Sequence, residues 1–200
     1  MTPAEVVARQ PAAARPIDEI IIHCTATPAG RPVSVAEIRA WHRTRGWADI
    51  GYHYVVLLDG SVAPGRPEAK IGAHVAGHNE GTLGVVYVGG VGPDGRAADT
   101  RTPAQREALT ATVRALIVKY PGVGRVSGHN EYAAKACPSF DVRTDPLAGL
   151  VRELRGGGRR LAPPPPLPRE PVGEPAVTNP FNPASGFARA IRALFAAFHR

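Results

Sequence analysis

Three residues of this chain are of types that could together ligate a zinc ion: His23, His129 and Cys137. His23 closes the apolar run Ile20-Ile21-Ile22, and His129 follows a short β-rich stretch from Arg125 to Ser127. Two strand ends at one sheet edge would bring both imidazoles together, with Cys137 in the loop that follows. Three such ligands leave one coordination position for water, whose pKa zinc lowers toward ~7. Spacing alone carries this weakly, because histidines at strand ends also serve as plain hydrogen-bonding groups. Cys24 adjoins His23, but neighbours on a strand point to opposite faces, so it reads as a small buried residue rather than a fourth ligand. Two cysteines are too few for a disulfide scaffold, which leaves free thiols or metal ligands in a reducing compartment.

The elements that must position these groups alternate along the chain. Ile20 to His23 predicts a buried strand. Ser34-Val35-Ala36-Glu37 has the spacing of a capping box, and Val35, Ile38, Trp41 and His42 follow at helical intervals, which predicts a helix over Val35 to Arg45. Tyr52 to Leu58, the turn Asp59-Gly60 and Ser61 to Ala63 predict a hairpin. Leu83 to Val88 reads as a buried strand. Thr102-Pro103-Ala104-Gln105 joins an N-cap, a first-turn proline and a capping-box glutamine, starting a helix that reaches Tyr120. Arg125 to Ser127 is the last strand. Strands and helices in this order predict an α/β class, with a mixed central β-sheet flanked by helices.

The 200 residues suit one ordinary domain with an appendage. The domain is expected over residues 17–155. A Gly/Pro-rich linker follows over 156–184, with nine prolines between Pro163 and Pro183, and then a cationic amphipathic helix over 185–200. In that last stretch Phe187, Ile191, Leu194, Phe195 and Phe198 share one helical face. Eight arginines against three glutamates fall between Val151 and Arg200, a surplus of +5 within a net charge of +7. Such a tail favours polyanions, and charge does not choose between nucleic acid, anionic lipid and cell-wall polymer. No stretch is long and apolar enough for a membrane-spanning helix. The first sixteen residues lack a basic start and an apolar core, so no secretory leader is expected and synthesis is expected to be cytoplasmic.

Several motifs taken together resemble the zinc N-acetylmuramoyl-L-alanine amidases of the phage lysozyme type, relatives of the peptidoglycan recognition proteins. They are Ile22-His23-Cys24-Thr25-Ala26-Thr27, Gly46-Trp47 through Gly51-Tyr52-His53-Tyr54, Gly72-Ala73-His74, and Lys135-Ala136-Cys137-Pro138-Ser139-Phe140-Asp141. The likeness covers roughly Ile17 to Val142 in matching order. It implies Zn2+ held by His23, His129 and Cys137, with Tyr52 and Lys135 assisting catalysis and His74 on the substrate side of a groove. It implies peptidoglycan as the partner, action at the cell wall after release, and no nucleotide, organic cofactor or nucleic-acid partner. Contact of the C-terminal helix with an anionic membrane or envelope is a further expectation, from its apolar face and arginines alone.

The remaining histidines divide. His53 is expected to point away from Tyr52's face and to be structural, and His42 lies on a helix among core residues. His74 and His78 sit in a Gly-rich stretch from which side chains can reach a groove. Two other functions compete with zinc hydrolysis: a non-catalytic wall-binding module, and a thiol hydrolase pairing Cys137 with His129.

Overall fold

A computed structural model describes residues 1–156. The expected linker over 156–184 and helix over 185–200 lie, but for Gly156, outside the described residues.

A five-stranded sheet organises the fold. Its strands are β1 (Glu19–Cys24), β3 (Tyr54–Val56), β4 (Val62–Pro64), β5 (Thr82–Tyr87) and β7 (Arg125–Gly128), in the order β4-β3-β5-β1-β7. β1 runs parallel to both β5 and β7, β3 runs parallel to β5, and only the β3–β4 hairpin is antiparallel. The sheet is therefore mixed. Two-residue strands β2 (Thr27–Pro28) and β6 (Gly90–Val91) pair beside it. Helix α2 (Val35–Thr44) ends within a residue of its predicted limit, and α3 (Pro103–Lys119) starts at the predicted cap. In that cap the Thr102 hydroxyl accepts the Gln105 N–H while the Gln105 side chain accepts the Thr102 N–H.

Two further helices had no counterpart in the sequence reading. The short α4 (Leu150–Leu154) packs on α3. At the other end α1 (Pro3–Arg9) carries its own capping box between Thr2 and Glu5, with proline at its start. It lies on α3, where the Lys119 ammonium bonds the carbonyls of Val7 and Gln10 at 2.9 and 2.6 Å. The Tyr120 hydroxyl accepts the Ala13 N–H. Lys119 also pairs with the buried Glu68 carboxylate, which accepts hydrogen bonds from Tyr54 and Tyr120.

Alternation along β1 sorts the interior. Ile20, Ile22 and Cys24 join Leu83, Val85, Tyr87, Leu109, Val113 and Leu116 in the main core, on the face covered by α1, α3 and α4. A second core of Val33, Ile38, Ile50, Val55, Val86 and Val88 lies under α2. Ile21 and His23 point to this second face, beside Val75 and Tyr132. Buried Gln105 ties α3 to the sheet by donating to the Val88 carbonyl at 2.9 Å. Among the described residues no helix is long and apolar enough to cross a membrane.

Candidate metal centre

Parallel neighbours end at the same edge. β1 delivers His23 in its last turn of pleat, and β7, pairing with β1 through Ile22 and Gly128, delivers His129 one residue later. Ligand sites in parallel sheets form at the carboxyl ends of the strands, and this edge is such a place. Two side-chain ties and a 3₁₀ turn over His129–Glu131 fix the descent from β7. The Glu131 carboxylate accepts the Gly128 N–H at 2.7 Å and pairs with Arg125.

Cys137 arrives on a loop that is fastened from three sides. The Tyr87 hydroxyl donates to the Pro138 carbonyl at 2.8 Å, and the Ser139 hydroxyl donates to the Gly90 carbonyl at 2.8 Å. Phe140 lies under the Arg101 guanidinium, 3.4 Å from ring centroid to Cζ. Arg101 is itself buried and held by Asp99 at 2.9 Å and Asp145 at 2.7 Å. The sequence reading did not single out Arg101. A lone arginine before an N-cap carries no local sign of the aromatic it will meet.

The outcome is convergence. One ligand atom each from His23, His129 and Cys137 lies within 4.8 Å of the others, and this is the one such group of His, Cys, Asp or Glu among the described residues. Cys137 Sγ stands 3.7 Å from His23 Nδ1. Ligands at tetrahedral angles with bonds of about 2.0 and 2.3 Å span about 3.6 Å, so the pair is spaced for one zinc ion. The donor chemistry agrees, two imidazoles and a thiol being a typical set for zinc with one open position. Burial lowers the pKa of His23 far below its ordinary value and brings His129 to about 4, so both rings offer lone pairs. The neighbouring Cys24 thiol and burial push the Cys137 thiol well up. That sulfur therefore calls for a cation to become a thiolate. Cys24 itself is buried in the main core, on the opposite face from His23, and its N–H donates to Cys137 Sγ at 3.3 Å.

Around the corner stands a run of aromatic rings. Tyr52 lies just before β3 rather than on it, half-buried, its ring 5.0 Å from that of His23. Burial raises the Tyr52 phenol above its ordinary pKa, so it stays protonated. His42 and Trp47 continue the line from Tyr52 at ring separations of 5.2 and 4.6 Å. Lys135 is exposed, two residues before Cys137, and its charge helps to depress His129.

His42, His53 and His74 are buried and hydrogen-bonded, whereas His78 is half-buried with its ring 4.6 Å from that of Tyr132. His42 Nδ1 accepts the Gly51 N–H at 2.8 Å, and burial lowers its pKa to about 4. His53 donates from Nε2 to the Lys70 carbonyl and accepts the Gly84 N–H at Nδ1, its pKa also lowered by burial to about 4. His74, expected on the substrate side of a groove, is 6% exposed and sits behind His23, with its Nδ1 3.1 Å from His23 Nε2.

Residues 13–140 match the N-acetylmuramoyl-L-alanine amidase family. The chain is 43% identical over 126 residues to the endolysin of Escherichia phage T7, covering 63% of this chain and 83% of that protein. It is 41% identical over 139 residues to the endolysin of Enterobacteria phage K11, covering 69% and 91%. Among solved structures, the Ph2119 endolysin from Thermus scotoductus MAT2119 bacteriophage Ph2119 superposes with a TM-score of 0.55 at 30% identity, over 75% of this chain and 90% of that one. Drosophila PGRP-LB shares the fold, with a TM-score of 0.56 at 23% identity over 69% and 86%.

Proposed function

The chain belongs to the N-acetylmuramoyl-L-alanine amidase family, and from that premise we propose that it is a zinc-dependent endolysin hydrolysing peptidoglycan. The bond cleaved is the amide between the lactyl group of N-acetylmuramic acid and the L-alanine of the stem peptide. The observation that carries this reading is the approach of His23, His129 and Cys137 to within 4.8 Å at one sheet edge.

His23, His129 and Cys137 would hold the metal. When bound there, zinc supplies Lewis acidity toward the scissile carbonyl and toward the attacking water. The protein supplies the rest. Tyr52, kept protonated by burial, offers a phenolic hydrogen bond to the oxygen on which negative charge develops. Lys135 adds a positive charge at the exposed rim, on the loop that carries Cys137. Buried, neutral imidazoles of His42 and His53 keep competing charge out of the floor of the site.

The test is mass spectrometry of products from purified cell wall, run as prepared, after chelation and after zinc is restored. Stem peptides with a free L-alanine amine should appear, vanish on chelation and return with zinc. Cleavage undiminished by chelation in protein without bound metal would overturn the zinc reading. Intact glycan-peptide material under all three conditions would indicate a wall-binding module instead. Action at the cell wall after release follows from the same reading. Contact of residues 185–200 with an anionic surface rests on their charge and apolar periodicity.

A further inference from the structure

The geometry points to His74 as a positioning residue for the metal centre: its Nδ1 accepts a hydrogen bond from His23 Nε2–H and so turns His23 Nδ1, with its lone pair, toward Cys137. This rests on the zinc reading above and concerns a buried residue that stands behind one of the proposed ligands.

The direction of the hydrogen bonds can be read from the far end of a chain. The Thr82 hydroxyl lies 2.8 Å from the His78 carbonyl and 3.2 Å from the Asn79 carbonyl, and a carbonyl can only accept. Thr82 therefore spends its proton there, which leaves its oxygen to accept from His74 Nε2 at 3.4 Å. With its proton on Nε2, His74 has a lone pair on Nδ1. That lone pair, 3.1 Å from His23 Nε2, accepts a hydrogen bond from its N–H. His23 then has its own lone pair on Nδ1, the atom 3.7 Å from Cys137 Sγ. The backbone carbonyls at His78 and Asn79 thus set the tautomer of a ligand three groups away.

The place for the His74 ring is built. A methyl group on Gly84, in the middle of β5, would stand 2.7 Å from His74 Cδ2 and Cγ. One on Gly72 would stand 2.4 Å from Cδ2 and 2.7 Å from Nε2. Both contacts are closer than any side chain tolerates, so the ring occupies space that two glycines leave open. A glycine inside a strand weakens it, which makes Gly84 costly without such a tenant. The backbone is fixed as well, because the Asn79 side-chain oxygen accepts the N–H groups of His74 and Val75 at 2.8 and 3.0 Å.

The full chain and three variants decide the matter: His74→Leu removes the acceptor, His74→Asn keeps one near the Nδ1 position, and Thr82→Val removes the far end of the relay without changing its shape. Zinc affinity is measured by competition with a chromogenic chelator, and ligand geometry by the visible absorption of the cobalt(II) form. His74→Leu should weaken zinc binding about 10- to 100-fold and alter the cobalt spectrum. Thr82→Val should weaken it several-fold, and His74→Asn should stay nearer the parent than His74→Leu. A merely structural histidine would lower the melting temperature of the metal-free protein in all three without this order of affinities. Parent-like affinity and spectrum in His74→Leu would overturn the proposal, and if that variant does not fold, unchanged affinity in Thr82→Val does so. A parent chain that binds no zinc would instead overturn the reading on which the proposal stands.

Discussion

On the α3 side of the sheet, Ile20, Ile22, Leu83, Val85 and Tyr87 meet Leu109, Val113 and Leu116. On the α2 side the same two strands present Ile21, His23 and Gly84 to a gathering of imidazoles, the His23 ring lying 5.0 Å from that of His74 and 4.8 Å from that of His129. Among the described residues, the histidines at 23, 42, 53, 74 and 129 belong to this second region. Hydrocarbon contact is non-directional and indifferent to pH. The imidazole side is the reverse, since each hydrogen-bonded ring nitrogen has a direction to keep. Cohesion and chemistry are thereby assigned to opposite faces of one sheet, and substitutions should separate them.

The largest effect is expected at Cys137. Cys137→Ser should reduce wall-amide cleavage to background and lower bound zinc, while the far-ultraviolet circular dichroism of the folded chain persists. Retained turnover would break the division just drawn. Next comes Tyr52→Phe, which should lower kcat about 10²-fold, the usual consequence of losing one donor to an oxyanion, with zinc content unchanged. A fall in zinc content instead would place Tyr52 in the metal's support.

Leu116→Ala, on the hydrocarbon side, should cost about 2–5 kcal/mol in urea unfolding and leave the zinc stoichiometry of the folded protein intact. Acid should discriminate the faces again. His42 and His53 are held near 4 by burial, below the ordinary value of 6.5, so between these limits the unfolded chain takes up protons that the folded chain refuses. Their stabilisation is complete above about pH 6.5 and is lost as pH falls toward 4, at up to about 1.4 kcal/mol per pH unit for a fully buried group such as His53. Urea midpoints of metal-free protein across this range check the slope, and a His53→Gln variant should flatten it. The smallest shift belongs to Thr102→Ala, about 1 kcal/mol through the lost α3 cap, with activity at moderate temperature unchanged.

Much of this arrangement is legible in the residues. Alternation along Ile20–Cys24 separates His23 from Cys24, and the two sit on opposite faces. Proline, threonine and glutamine at 102–105 mark the start of α3 to the residue. The same grammar is present at Thr2-Pro3-Ala4-Glu5, where a Pro/Ala-rich composition conceals α1. Other features are set by tertiary approach and leave no local trace. His74 lies in a Gly-rich loop that reads as open, yet Gly84 on the following strand supplies the slot that buries it. The two-residue β2–β6 pairing is too short to show a period, and Arg101 meets Phe140 only after the chain has returned past β7.

The adjacency of β1 and β7 has a temporal corollary. Residues 23, 129 and 137 become neighbours only when the last strand is laid against the first, an event with a long closure in sequence. A nascent chain that has not reached that stage owns a single donor at an unfinished border. On the zinc reading proposed above, hydrolytic competence would arise together with the completed sheet, and partially synthesised copies would be inert.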